Sequence, residues 1–207
     1  MYPFISPRST FWWIAGDCLG FRRQSGISPS TGKPYKFASS LRYGEEHIKT
    51  YEEQTTIFCS NGFAMWDVVK TCKREGSLDQ DIQEDVPNDI RGFCKDHPSI
   101  RRIVLANGGT GAQFFRKHFK DWFDSGEIVP SKHKASQTAF KKWASAVKDD
   151  SSSPYFSKKI VVISALAVSP AAARYTYEEK RDFWEEEVYK PGLADHKRNT
   201  RTQKQVD

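Results

Sequence analysis

The chain has 207 residues, 38% hydrophobic and 14% aromatic, with a formal net charge of +6. This suits one globular α/β domain with a substantial core, and 28% charged residues with a mean hydropathy of −0.67 give it a well-solvated surface. No apolar stretch approaches the roughly 20 residues that span a bilayer, residues 1–8 do not read as a signal peptide, and the four scattered cysteines fit reduced thiols of an intracellular protein better than a zinc or redox motif.

Phe11, Ile14, Ala15, Cys18 and Leu19 follow helical spacing, which predicts a helix over 10–19. Residues 20–45 are rich in Gly, Pro and Ser and basic, so they read as a long loop. A helix covers all or part of 45–58, and Asn61-Gly62 ends it with a left-handed cap. Residues 63–69 read as a buried strand, interrupted by Asp67. A carboxylate in an apolar run is either a structural acid with a fixed donor or the reader of a polar ligand edge.

The acids from Glu75 to Asp89 read as a solvated loop and helix start. A short helix over 87–97 is stopped by Pro98. An apolar strand over 100–106 runs into Asn107-Gly108-Gly109-Thr110-Gly111 and then a helix. Strand, glycine turn and helix N-terminus together suit an anion or a planar ligand, although a tight turn without a ligand has the same pattern. The run is not G-x-G-x-x-G and no strand follows to carry the acidic partner, so dinucleotide binding is disfavoured.

From Arg116 to Lys148 there are eight Lys or Arg against three acids, interleaved with Phe119, Trp122, Phe123, Phe140 and Trp143. That mixture suits a phosphate backbone and equally suits amphipathic helices whose aromatics are core. A helix over 135–147, a polar linker over 149–154 and a third strand over 160–166 follow. Thr176 and Glu179 have capping-box spacing and start a last helix over 177–189. Residues from Lys190 on read as a disordered basic tail, usable as a nuclear address, an arm on DNA or a solubilising end. Strands alternating with helices predict a parallel α/β sheet. The five histidines are scattered without metal-ligand spacing, and no G-x-S-x-G elbow is present.

The block Phe63-Ala64-Met65-Trp66-Asp67-Val68-Val69, with Cys72-Lys73-Arg74-Glu75-Gly76-Ser77-Leu78-Asp79, resembles the hypoxanthine-DNA glycosylase branch of the uracil-DNA glycosylase superfamily. Three further segments agree in order. Pro7-Arg8-Ser9-Thr10-Phe11-Trp12 resembles the family's His-Pro-x-Asn-x-Phe-Trp. Pro87-Asn88-Asp89, His97-Pro98 and Ile103 to Gly108 resemble its central stretch. Ser164 to Ala173, followed by Tyr177-Glu178-Glu179-Lys180 and Trp184, resembles its last strand, loop and helix.

The resemblance implies a three-layer α/β/α fold on a short parallel sheet over residues 1–193, with 194–207 as tail. It implies a monofunctional glycosylase without metal or other cofactor, acting as a monomer on DNA that holds a deaminated base, hypoxanthine or uracil; the protein is expected to be intracellular, and its basic tail points to the nucleus. By correspondence Ser9 takes the family's catalytic Asn position. Asp67, Trp66, Phe11 and Asn107 bind the base, and Ser169, Arg174, Gly108 and Arg8 contact DNA. Two departures bear on catalysis. Serine lacks an amide's paired donor and acceptor, with Ser6 where the family has His. The family's earlier strand and Gly-Ser-x-Pro loop lie upstream of the region matched here. The expectation is three core strands, over 62–69, 100–107 and 159–166, with a gap where a fourth belongs. A DNA-binding relative without catalysis is the alternative.

Overall fold

The computed structural model describes residues 9–76, 81–144, 159–169, 172 and 174–203. The chain forms two compact units, one from Met1–Met65 with Leu166–Asp207 and one from Trp66–Ala165.

The first unit is helical. α1 (Phe11–Leu19) is buried from Phe11 to Asp17 and ends at Gly20 in the left-handed region. The loop that follows holds two short 3₁₀ turns, Ala38–Ser40 and Glu45–His47. α2 (Tyr51–Ser60) starts later than its sequence suggests because Thr50 and Glu53 form a reciprocal capping box there, and Gly62 (φ 83°) closes it as expected. α8 (Tyr177–Trp184) has the expected Thr176–Glu179 box.

A π-helical turn, Glu185–Tyr189, then leads into α9 (Lys190–Gln203). The expectation of disordered chain from Lys190 is corrected here. Pro191 lies in the first turn of α9, where proline is tolerated, and the widened turn before it accommodates a ring that would clash with a regular helix. Gly192 permits close packing, since a β-carbon there would lie 2.6 Å from the Phe63 ring.

The second unit carries the sheet. β1 (Val69–Arg74) and β2 (Ile82–Pro87) make an antiparallel ribbon with irregular register, exposed along most of its length. α3 (Ile90–Asp96) is capped by Asp89, whose carboxylate accepts from the Gly92 N–H at 2.9 Å. β3 (Arg102–Leu105), α4 (Gly108–His118) and α5 (Lys120–Asp124) follow. β4 (Ile128–Pro130), α6 (Lys134–Ala139), α7 (Lys141–Ala144) and β5 (Ile160–Ser164) complete the unit.

The parallel sheet has the order β3-β5-β4, with Leu105 opposite Ser164 and Ile128 opposite Ile160. β5 is central because its run Ile160-Val161-Val162-Ile163 is apolar on both faces. Pro130 is tolerated because β4 is an edge strand among the described residues. The expected α/β class is present, a mixed α/β arrangement on a three-stranded parallel sheet, consistent with a three-layer fold.

The strand expected over 63–69 does not form. Phe63 packs with Phe58 and Tyr189 in the first unit, whereas Val68 packs on the core of the second. The apolar run is divided between two cores, so it never lies along a ladder. The third strand of the parallel sheet is instead the three-residue β4, too short to carry a periodic signal. A fourth strand in residues 1–8 and the linker over 149–154 lie outside the described residues. No helix among the described residues is long and apolar enough to cross a membrane.

The core of the second unit gathers Phe115, Phe119, Trp122, Phe123, Phe140 and Trp143, none more than 8% exposed. The aromatics interleaved with basic residues are therefore packing, not a stacking platform. The helix expected over 135–147 is broken between α6 and α7 at the fully buried Phe140.

Candidate functional site

In the first unit, Thr10 donates both its backbone N–H and its hydroxyl to the Val168 carbonyl, at 3.0 and 3.2 Å. This pair of bonds ties the residue after Ser9 to the residue before Ser169. Ser9 is 5% exposed, and its oxygen accepts from the Phe11 N–H at 3.4 Å. The Phe11 ring is buried, edge-on to Trp12 and Trp184 and tilted against Phe58, so it belongs to the aromatic core of the unit.

Trp184 donates to the Leu166 carbonyl at 2.9 Å, which fixes the segment before Ser169. Arg174 is exposed, its guanidinium 5.5 Å from the Tyr175 ring centroid. Arg8 lies outside the described residues. Lys180 is buried, and burial lowers its ammonium pKa below the usual lysine value.

A buried ionic network fixes the long loop behind this segment. Asp17 accepts from the Arg42 N–H at 2.9 Å and the Tyr177 hydroxyl at 2.9 Å, and Arg181 lies 3.6 Å away. Burial raises the Asp17 pKa, and those donors pull against it. Arg42 also pairs with Glu185 at 2.5 Å. The neighbouring Cys18 thiol is pushed up to about 12, chiefly by burial, which disfavours its thiolate.

In the second unit, Asn88 sets the position of Trp66 and Asp67. Its side-chain amide donates to the Asp67 carbonyl at 2.7 Å, and its N–H donates to the Val68 carbonyl at 3.0 Å. The Asp67 carboxylate is exposed and has no hydrogen-bond or ion-pair partner among the described residues. Trp66 is 54% exposed. Sequence reasoning missed Phe93, which meets Trp66 with ring centroids 5.3 Å apart; an apolar residue shortly before Pro98 gave no signal beyond helix packing.

The strand–turn–helix forms as expected. Asn107 is exposed at the N-cap of α4 without making a side-chain cap bond, so its amide is available. Gly108 is buried at φ 56°, a left-handed conformation that glycine adopts without strain. A β-carbon on Gly109 would meet nothing within 4 Å, which leaves the backbone of the first turn approachable.

At the other end of α4, His118 and Lys117 both bond the Asp85 carboxylate of β2, and these contacts hold Asp85 near a pKa of about 2. Ser9, Phe11, Ser169 and Arg174 thus belong to the first unit, and Trp66, Asp67, Asn107 and Gly108 to the second.

No family model and no solved structure matches the chain. A curated protein described as hypoxanthine DNA glycosylase, from Methanosarcina acetivorans, is 24% identical over 109 residues, which are 53% of this chain and 54% of that protein. The chain therefore spans about half the length of the curated relative it matches, and the similarity suggests that family at a distance.

Proposed function

We propose that the chain is a DNA glycosylase that hydrolyses the N-glycosidic bond of a deaminated base, hypoxanthine first. The observation that carries this reading is the similarity to a curated hypoxanthine DNA glycosylase. The residues are compatible with it. A base inside a duplex must be turned out to be read, and Trp66 offers a ring for stacking beside the exposed carboxylate of Asp67. Hypoxanthine carries a donor at N1 where adenine carries an acceptor, so Asp67 binds the first and rejects the second. Asn107 supplies an uncommitted amide, and the first turn of α4 supplies backbone donors for a phosphate. Ser9 uses its oxygen as an acceptor from Phe11 and keeps its proton for a water.

The test is base release from a deoxyinosine duplex. Asp67→Ala is expected to lose about tenfold or more, the scale of one lost charge-assisted hydrogen bond, while Asp79→Ala keeps most of the activity. Equal losses remove the base-reading role. A second reading, a DNA-binding relative without catalysis, is favoured by one observation: Ser9 stands where the resembled family has an amide. No base release from an intact protein that still shifts DNA would establish it.

A further inference from the structure

The chain has six tryptophans, and five of them are 8% exposed or less, whereas Trp66 is 54% exposed. Its ring meets Phe93, itself 39% exposed, at 63° between planes, and Phe93 meets His97 at 4.3 Å. Leaving a large aromatic in water forgoes the stabilisation that burial would bring. These rings are held there by the Asn88 bonds on one side and the Asp89 cap of α3 on the other.

The charge around them is opposite in sign to that of the chain. At about 100° per residue, Arg91 and Lys95 lie roughly 160° around α3 from Phe93, whereas Asp89 and Asp96 lie within about 60° of it. Arg91 is turned to Glu127, at 2.6 Å. Asp67 adjoins Trp66, and among the described residues neither Asp67 nor Asp96 has a hydrogen-bond or ion-pair partner for its carboxylate. Carboxylates beside Trp66 in sequence and on the Phe93 side of α3 disfavour phosphate and favour a cation that can stack.

We propose that this surface takes a purine base bearing a positive charge, one alkylated on a ring nitrogen, with Trp66 as the stacking ring, Asp67 and Asp96 as counter-charges and Phe93 positioning Trp66. The inference rests on the glycosylase reading and extends its substrate class. In the hydrolysis, the water oxygen bonds to C1′ as the C1′–N9 bond breaks. The bond's electron pair stays on N9 and cancels the positive charge of the purine, and the water proton goes to solvent. A neutral base leaves as an anion unless it is protonated. A charged base therefore makes the least demand on any group that must stabilise the departing base.

The experiment titrates the full chain with N7-methylguanosine in its cationic form, and with guanosine, and follows quenching of the exposed tryptophan. The methylated nucleoside is expected to bind at least about fivefold more tightly, the scale of an exposed cation–π contact with a carboxylate beside it. Asp67→Asn and Asp96→Asn should each reduce that preference, and Trp66→Phe should remove the signal. Equal quenching by both nucleosides, or none, overturns the proposal. A lysine-rich peptide quenching more strongly than the charged nucleoside also overturns it, assigning the surface to a protein partner. The same protein is assayed for release of hypoxanthine and N7-methylguanine from duplex DNA. Hypoxanthine release without selective quenching overturns the charged-base proposal and leaves the glycosylase reading standing. Selective quenching with release of neither base supports the charge preference and removes the catalytic reading.

Discussion

Gly108 and Gly109 are neighbours with opposite requirements. Gly108 holds a φ of 56°, where an alanine costs roughly 1–2 kcal/mol. Gly109 has open space around the position of a β-carbon and sits in the first turn of α4, so alanine there is expected to stabilise by up to about 1 kcal/mol. Urea unfolding of the two variants checks both signs. If DNA approaches this turn, Gly109→Ala will weaken DNA binding while raising stability, a combination that packing alone does not produce. Asp85 makes a pH prediction. Its folded pKa is depressed from 3.8 to about 2 by the Lys117 and His118 bonds. The stabilisation it contributes is therefore complete above pH 3.8 and lost as pH falls through about 2. Asp85→Asn should flatten that part of the acid-unfolding profile, and an unchanged profile would remove the ion pairs from the account.

α9 and the turn after α2 are packed by two absent side chains. A β-carbon on Gly192 would lie 2.6 Å from the Phe63 ring, and one on Gly62 would lie 2.6 Å from the His196 ring. Gly192→Ala is expected to cost roughly 1–3 kcal/mol by overpacking, and adding Phe63→Leu should recover part of it. If the single variant unfolds at the parent's denaturant concentration, α9 does not pack on that turn. Helix caps were legible beforehand because they depend on residues close in sequence: Thr176 with Glu179, and Gly62 after Asn61. The continuation of the chain into α9 was not legible. Pro191-Gly192 reads locally as a break, and only the Phe63 ring across from Gly192 shows why glycine belongs inside that helix.

If the chain binds DNA as proposed, that binding should fall with salt, with a log–log slope of about −0.9 for each phosphate contacted. Fluorescence anisotropy with undamaged duplex at several salt concentrations checks it, and a flat response would exclude phosphate contacts. The aromatics between Phe119 and Trp143 should not matter for that binding except through folding. Trp122→Ala, at a position only 3% exposed, should cost about 3–5 kcal/mol of stability.

The α/β class, α1, the capped start of α8, the apolar β5 and the strand–glycine–helix turn at Asn107 are all legible in the order of the residues. Each of these is written in spacing, capping or turn chemistry between near neighbours in the chain. Tertiary structure decided which apolar run enters the sheet. Residues 63–69 are as apolar as a buried strand, yet their side chains are divided between two cores. Burial belongs to whichever partners the fold brings up, and those partners, Tyr189 for Phe63 and the aromatic core around Phe115 for Val68, are far away in sequence.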